Sequence, residues 1–220
     1  MKKKLFILLP VSLINLVVIF FMTLKLPETV PIHLNASMIV DRYGSRWFVP
    51  LIALIPVVLS VVRLIYSRRA NSNNVKIENK MLPAIIAFFI IMTWFPVIIA
   101  FQYENPEMAL NIPMELIVML PLGILMMIVS NFMGNIKYNK WLGIRVPWTF
   151  ASETVWRKTH RLGGYTGFVG GFILCIFAIL SFLFKAVVLI HVGLISSLVF
   201  IVGIPVVYSY IIYNKERAEK

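Results

Sequence analysis

Three histidines, one cysteine and nine carboxylates are the side chains this chain offers for metal binding or for acid–base work near neutral pH. A metal centre needs three or four such donors converging, and acid–base catalysis needs a base within hydrogen-bond reach of its proton. His33, Glu28 and Asp41 share one polar stretch, and a small site of His33 with Glu28, Asp41 or His191 is conceivable. A loop histidine held by hydrogen bonds is the commoner use. The chain has no H-E-x-x-H, G-x-S-x-G, phosphate loop or CxxC. Cys175 stands alone, which excludes a disulfide framework. The reading is therefore of a non-enzyme with no cofactor and no metal.

The densest run of interacting residue types is 139–164. Lys140, Arg145, Arg157, Lys158 and Arg161, with Lys137 just before, face a single acid, Glu153, and Trp141, Trp148 and Trp156 are spaced through them. Basic residues interleaved with indoles describe a polypeptide in the headgroup layer. Pro147 bars a helix through the residue before it, and Thr149 or Ser152 can cap a new helix that Gly163 and Gly164 end. Glu153 pairs by spacing with Arg157 in that short interfacial helix.

The rest of the chain must hold this loop. At 60% hydrophobic and 14% charged, 220 residues carry more apolar surface than one soluble core buries. Apolar runs of membrane-spanning length lie at about 5–24, 48–66, 81–101, 112–133, 165–184 and 187–213. Lys2, Lys3 and Lys4 set the N-terminus in the cytoplasm, and the net charge of +12 is then an excess of Lys and Arg in inner loops, with no direct nucleic-acid role. The fold class is all-α: a polytopic protein of about six transmembrane helices, both termini cytoplasmic, with the interfacial helix between spans four and five. The domain division is a two-helix module over 1–67 with an outer loop at 25–47, a connector and third span over 68–113, a region over 114–213 holding the 139–164 loop, and a tail over 214–220. Arg63 sits where its stem can snorkel. Gly163, Gly167 and Gly171, four apart, offer a smooth face for close helix packing. In the outer loop, Val30, Ile32 and Leu34 alternate as in a strand, and Asp41 to Gly44 reads as a turn.

The run Gly143-Ile-Arg-Val-Pro-Trp-Thr149, then Ser152-Glu-Thr-Val-Trp156, then Thr159-His-Arg161 resembles the signature of the SdpI family of bacterial membrane proteins. Leu26, Pro27, Pro31, His33, Asn35, Asp41 and Gly44 resemble a module found at the start of many bacterial membrane proteins, in which a glycine commonly replaces Met38. The family resemblance implies a multi-pass protein of the bacterial cytoplasmic membrane, acting in immunity to a hydrophobic killing peptide. It further implies a signalling role, in which an ArsR-type repressor is held at the membrane when toxin is present. The residues it points to are Gly143, Arg145, Pro147, Trp148, Thr149, Glu153, Trp156 and His160 inside, and Pro31, His33, Asn35 and Asp41 outside. Arg145 is expected to anchor backbone carbonyls or an acid. The rival is a small-solute or ion transporter, on the strength of Pro56, Pro96, Pro121 and Pro205 inside spans and the polar Asn15, Asn131 and His191.

Overall fold

The computed structural model describes residues 2–37, 39–69, 74–104 and 113–219. In chain order these form α1 (Lys2–Leu24), β1 (Thr29–Leu34), β2 (Val40–Ser45), α2 (Phe48–Arg69), α3 (Val75–Glu104), α4 (Met114–Met133), α5 (Pro147–Ala151), α6 (Glu153–Phe184), α7 (Val188–Leu198), a π-helical segment (Val199–Gly203) and α8 (Ile204–Ala218). Among the described residues, six helical stretches are long and apolar enough to cross a membrane, the last running through α7, the π segment and α8. The chain is an all-α, multi-pass membrane protein. Met38, residues 70–73 of the connector after span two, and the outer segment from Asn105 to Glu107 lie outside the described residues.

The chain divides into two compact units, residues 1–71 with 82–121, and residues 72–81 with 122–220. In the first, α1, the β1–β2 hairpin, α2 and α3 share a core of Ile19, Leu26, Val30, Val49, Ala53, Val97 and Ala100. Lipid tails are as apolar as these side chains, so polar links and close packing hold the helices together. Ser12 Oγ and Ser60 Oγ, 3.2 Å apart, tie α1 to α2. Asn15 Nδ2 donates to Thr93 Oγ1 at 3.2 Å, and Trp94 Nε1 donates to Asn15 Oδ1 at 3.1 Å, tying α1 to α3. Arg63 is buried, where snorkelling toward water was expected.

The hairpin departs from the expected turn. Asp41 to Gly44 lies inside β2, antiparallel to β1, with Val30 opposite Gly44 and Pro31 opposite Tyr43. The chain reverses at Asn35, whose Oδ1 accepts from the N–H groups of Ser37 (2.9 Å) and Ile39 (3.0 Å). An asparagine side chain that closes its own turn makes the Asp-Arg-Tyr-Gly sequence unnecessary as one. A Cβ on Gly44 would come within 2.9 Å of Ile32 Cδ1, the flexible end of an exposed side chain.

In the second unit α6 is the axis. It runs 32 residues without a break, so Gly163 and Gly164 do not end a short helix as expected. Each glycine costs a helix about 1 kcal/mol relative to alanine, but here the small residues let neighbours approach. A Cβ on Gly171 would lie 2.6 Å from the carbonyl oxygen of Gly123 in α4, one on Gly164 3.1 Å from that of Ser130, and one on Gly170 3.0 Å from that of Ser197 in α7. The backbone contacts that these positions allow on two sides of α6 offset the propensity cost. The π segment precedes Pro205 by two residues. Proline lacks the N–H that would bond the carbonyl four residues back, and its ring crowds that carbonyl, so a widened turn accommodates it.

Candidate functional site

The segment from Gly134 to His160 folds back on α6 through a small set of side chains. Val146 is extended (φ −118°, ψ 158°), as a residue before proline prefers, and α5 starts at Pro147. Thr149, fully buried, closes that first turn: its Oγ1 accepts from the Val146 N–H at 3.1 Å and donates toward the carbonyls of Val146 (2.8 Å) and Ile144 (3.0 Å). Ser152 is the N-cap of α6, accepting from the N–H groups of Thr154 (3.2 Å) and Val155 (3.5 Å). Of the two caps the sequence offers, Ser152 therefore starts the long helix and Thr149 fixes the short one.

His160 and Gly143 form the centre. His160 Nδ1 lies 2.8 Å from the carbonyl oxygen of Trp156, and the Ile144 N–H donates to Nε2 at 2.9 Å. A carbonyl can only accept and an amide N–H can only donate, so the proton sits on Nδ1 and the ring is neutral. Both nitrogens are spent on backbone partners in a fully buried side chain, which makes His160 a clasp between loop and helix. Gly143 has φ +117°, a conformation that side chains resist, and a Cβ on it would collide with His160 Nε2. The Gly143–Ile144 backbone thus approaches the imidazole only because position 143 is bare.

Trp156 stacks on His160 (centroids 4.1 Å apart, 22° between planes) and donates from Nε1 to the Ile136 carbonyl at 2.9 Å. Tyr138 and Phe150 pack around it, with ring centroids 5.3 and 5.8 Å from that of Trp156, and Tyr138 Oη donates to the Phe150 carbonyl at 3.1 Å. Asn139 organises the preceding turn, accepting from Trp141 N and Leu142 N at 2.7 Å and donating to the carbonyls of Lys137 and Leu142. Arg145 Nη1 donates to the Lys140 carbonyl at 2.8 Å, so its guanidinium holds backbone, as an anchor would. Asn74, just before α3, clips Lys137 by its N–H and carbonyl at 2.9 and 3.0 Å.

Two tethers, one from α5 and one from the N-cap of α6, run to the last helix. Trp148 Nε1 donates to Ser209 Oγ, and its ring meets Tyr210 edge-on at 5.2 Å. Ser152 Oγ donates to Glu216 Oε1 at 3.0 Å. Neither Ser209 nor Glu216 was singled out from sequence, because their partners lie about sixty residues away and the tail reads as an ordinary mixed-charge end. Glu153 and Arg157, expected to pair, make no ion pair among the described residues.

Of the expected residues, then, Gly143, Trp156 and His160 meet in one contact, Pro147, Trp148 and Thr149 shape α5, and Arg145 braces the turn before it. Gly163 meets Ile144 of the same loop, while Gly167 and Gly171 lie further along α6 against α4. The outer group lies in the other unit. There His33 Nδ1 and Asp41 Oδ1 are 2.5 Å apart on an exposed hairpin, close to the Asn35 reversal, and Pro31 is buried in β1. The His33 contact holds the Asp41 carboxyl below the usual carboxylate range. Among the described residues no three His, Cys, Asp or Glu side chains come together as a metal site. His191 Nδ1 lies 3.2 Å from the Val187 carbonyl, one turn back on its own helix.

Residues 135–210, the segment that contains this whole knot except Asn74, Gly134 and the α8 tail, match the model of the SdpI/YfhL protein family. Residues 11–62, spanning α1, the hairpin and most of α2, match a domain of unknown function, DUF1648. Over 160 residues the chain is 28% identical to Immunity protein SdpI of Bacillus subtilis (strain 168), an alignment covering 71% of each protein. No solved structure matches.

Proposed function

We propose that this chain, a bacterial cytoplasmic-membrane protein of the SdpI/YfhL family by its residues 135–210, is an immunity protein that protects its cell from a secreted antimicrobial peptide. The observation that carries the reading is the likeness to Immunity protein SdpI over 71% of both chains. Of the signature residues, Gly143, Trp156 and His160 build the buried clasp. The protein acts without catalysis: His160, Trp156 and Thr149 are committed to holding backbone, and Trp148 and Ser152 to holding side chains of the last helix. Protection then means binding the peptide within or beside the membrane and preventing its action there.

The same reading sets Gly143, Arg145, Pro147, Trp148, Thr149, Glu153, Trp156 and His160 on the cytoplasmic side, with both termini, and the His33–Asp41 hairpin outside. A three-lysine leader and a basic loop on one side support that sidedness. A loop clasped to α6 and tethered to α8 suits a signalling role. If peptide binding favours one packing of these helices, the exposed face of the loop, including Trp141, changes with it, and a soluble ArsR-type repressor can be held there.

The test deletes the gene, then challenges the strain with its own stationary-phase culture supernatant, with and without a plasmid-borne copy. Sensitivity rescued by wild type and not by His160→Ala at equal abundance supports immunity. Unchanged sensitivity in the deletion strain removes it. For the signalling half, a tagged ArsR-type regulator that stays cytosolic during supernatant challenge removes that part alone.

A further inference from the structure

A second feature of the 122–220 unit is independent of the immunity reading. Beside the glycine crossing of α4 and α6 runs a cleft of about 480 Å³, lined by the polar Asn131, Asn135 and Arg161 and by Tyr165, Phe168 and Val169. Its polarity changes along its length in step with membrane depth. The 32 residues of α6 span about 48 Å, longer than a hydrocarbon core of roughly 30 Å. Counting about 20 residues back from Phe184, where α6 ends, reaches Tyr165, so an exposed tyrosine stands at the interface as aromatic belts do. Arg161 then lies one turn above, in the headgroup layer, and Phe168 and Val169 lie below, among acyl chains.

Arg161 makes no ion pair among the described residues, and no acid lines this cleft. Asn131 and Asn135 add amide donors next to it. Across Gly134 and Asn135, which both clefts share, lies a neighbouring space of similar size lined by Lys137 and Arg157, with Glu153 as its one acid. We infer that the α4–α6 cleft binds one phospholipid with an anionic headgroup, its phosphate on Arg161 and the Asn131–Asn135 amides, its acyl chain along Phe168 and Val169. A lone phosphate would satisfy the cation but leave the apolar end unfilled. A zwitterionic lipid would bring its own ammonium toward a surface that already carries Arg157 and Lys137 nearby.

The experiment is native mass spectrometry of the full chain released from detergent micelles, titrated in parallel with phosphatidylglycerol, phosphatidylcholine and glycerol phosphate. Wild type is expected to retain phosphatidylglycerol in preference to phosphatidylcholine. Arg161→Gln should lower that retention about fivefold, the usual effect of one basic side chain at an anionic membrane surface, while Arg161→Lys should keep most of it. Asn135→Asp, which sets a like charge beside the phosphate, should also lose it, and serves if Arg161→Gln misfolds. Equal retention of the two lipids, no effect of these substitutions, or full competition by glycerol phosphate would each overturn the proposal, the last by showing a headgroup-only anion site.

Discussion

Replacing Gly143 with alanine should unfasten the loop from α6, and the size of the effect is set by two separate contacts. A side chain at φ +117° stores backbone strain of about 1–3 kcal/mol. The added Cβ also collides with His160 Nε2, pushing the Ile144 N–H off its acceptor and leaving a fully buried imidazole nitrogen unpaired, which costs about 1–3 kcal/mol more. Together the expected loss is about 2–6 kcal/mol. The assay is thermal or denaturant unfolding of the purified protein in one detergent, followed by near-ultraviolet circular dichroism, which senses the Trp156–His160 stack. A double-mutant cycle separates the two parts. In a His160→Ala background the collision and the hydrogen bond are both gone, so Gly143→Ala should then cost only the strain, about 1–3 kcal/mol. If Gly143→Ala unfolds with wild type, or costs the same in both backgrounds, the clasp is not what holds the loop.

Trp148→Phe and Ser209→Ala should each destabilise the protein by about 0.5–1.5 kcal/mol, and the double variant by little more than either, because both remove one hydrogen bond; additive losses would deny the tether. Gly171→Leu should separate α4 from α6 and cost about 1–3 kcal/mol or more, read as lost membrane abundance; wild-type abundance and unfolding would refute close packing there. At the hairpin, the Asp41 carboxyl is depressed by His33, so the stabilisation it lends is present above the unfolded carboxylate value near 3.8 and disappears as pH falls through the lower folded value. The Asp41 protonation step, followed by NMR through the chemical shifts of the neighbouring His33 ring protons, should therefore appear at acid pH and vanish in Asp41→Asn; a profile identical in both proteins would contradict the pairing.

Much of this architecture was legible in the amino acids. Hydropathy over windows of about 20 residues located all six crossings, because the bilayer imposes one length on every span. Val146-Pro147 and Ser152 marked helix starts through local chemistry alone. What escaped is what depends on distant partners. Gly163-Gly164 looks like a helix end until the loop residue Ile144 is seen to pack against Gly163 and the backbone of α4 against Gly164. Asp41 to Gly44 carries turn residues, yet Asn35 supplies the side-chain carbonyl that closes the reversal, and one asparagine among several polar residues gives no advance sign of it. Among the signature residues, the role of His160 was open because nothing in its neighbours tells that its acceptor faces the amide after Gly143. Ser209 and Glu216 were invisible for the same reason.

The π segment in the final crossing has a consequence for how that crossing tolerates change. A widened turn is an α-helix carrying one surplus residue, held in place without rotating the helix beyond it. If Val199–Gly203 were to tighten into regular helix with the chain length unchanged, everything downstream would swing by about 100° and advance about 1.5 Å. Ser209 and Glu216 would then leave Trp148 and Ser152. Excising the exposed Val202 should instead remove the surplus and keep both tethers aligned. The same excision made at Val207 should uncouple them. The last crossing therefore carries its own slack, and a shift of one residue at mid-membrane is enough to decide whether its far end grips the loop or lets it go.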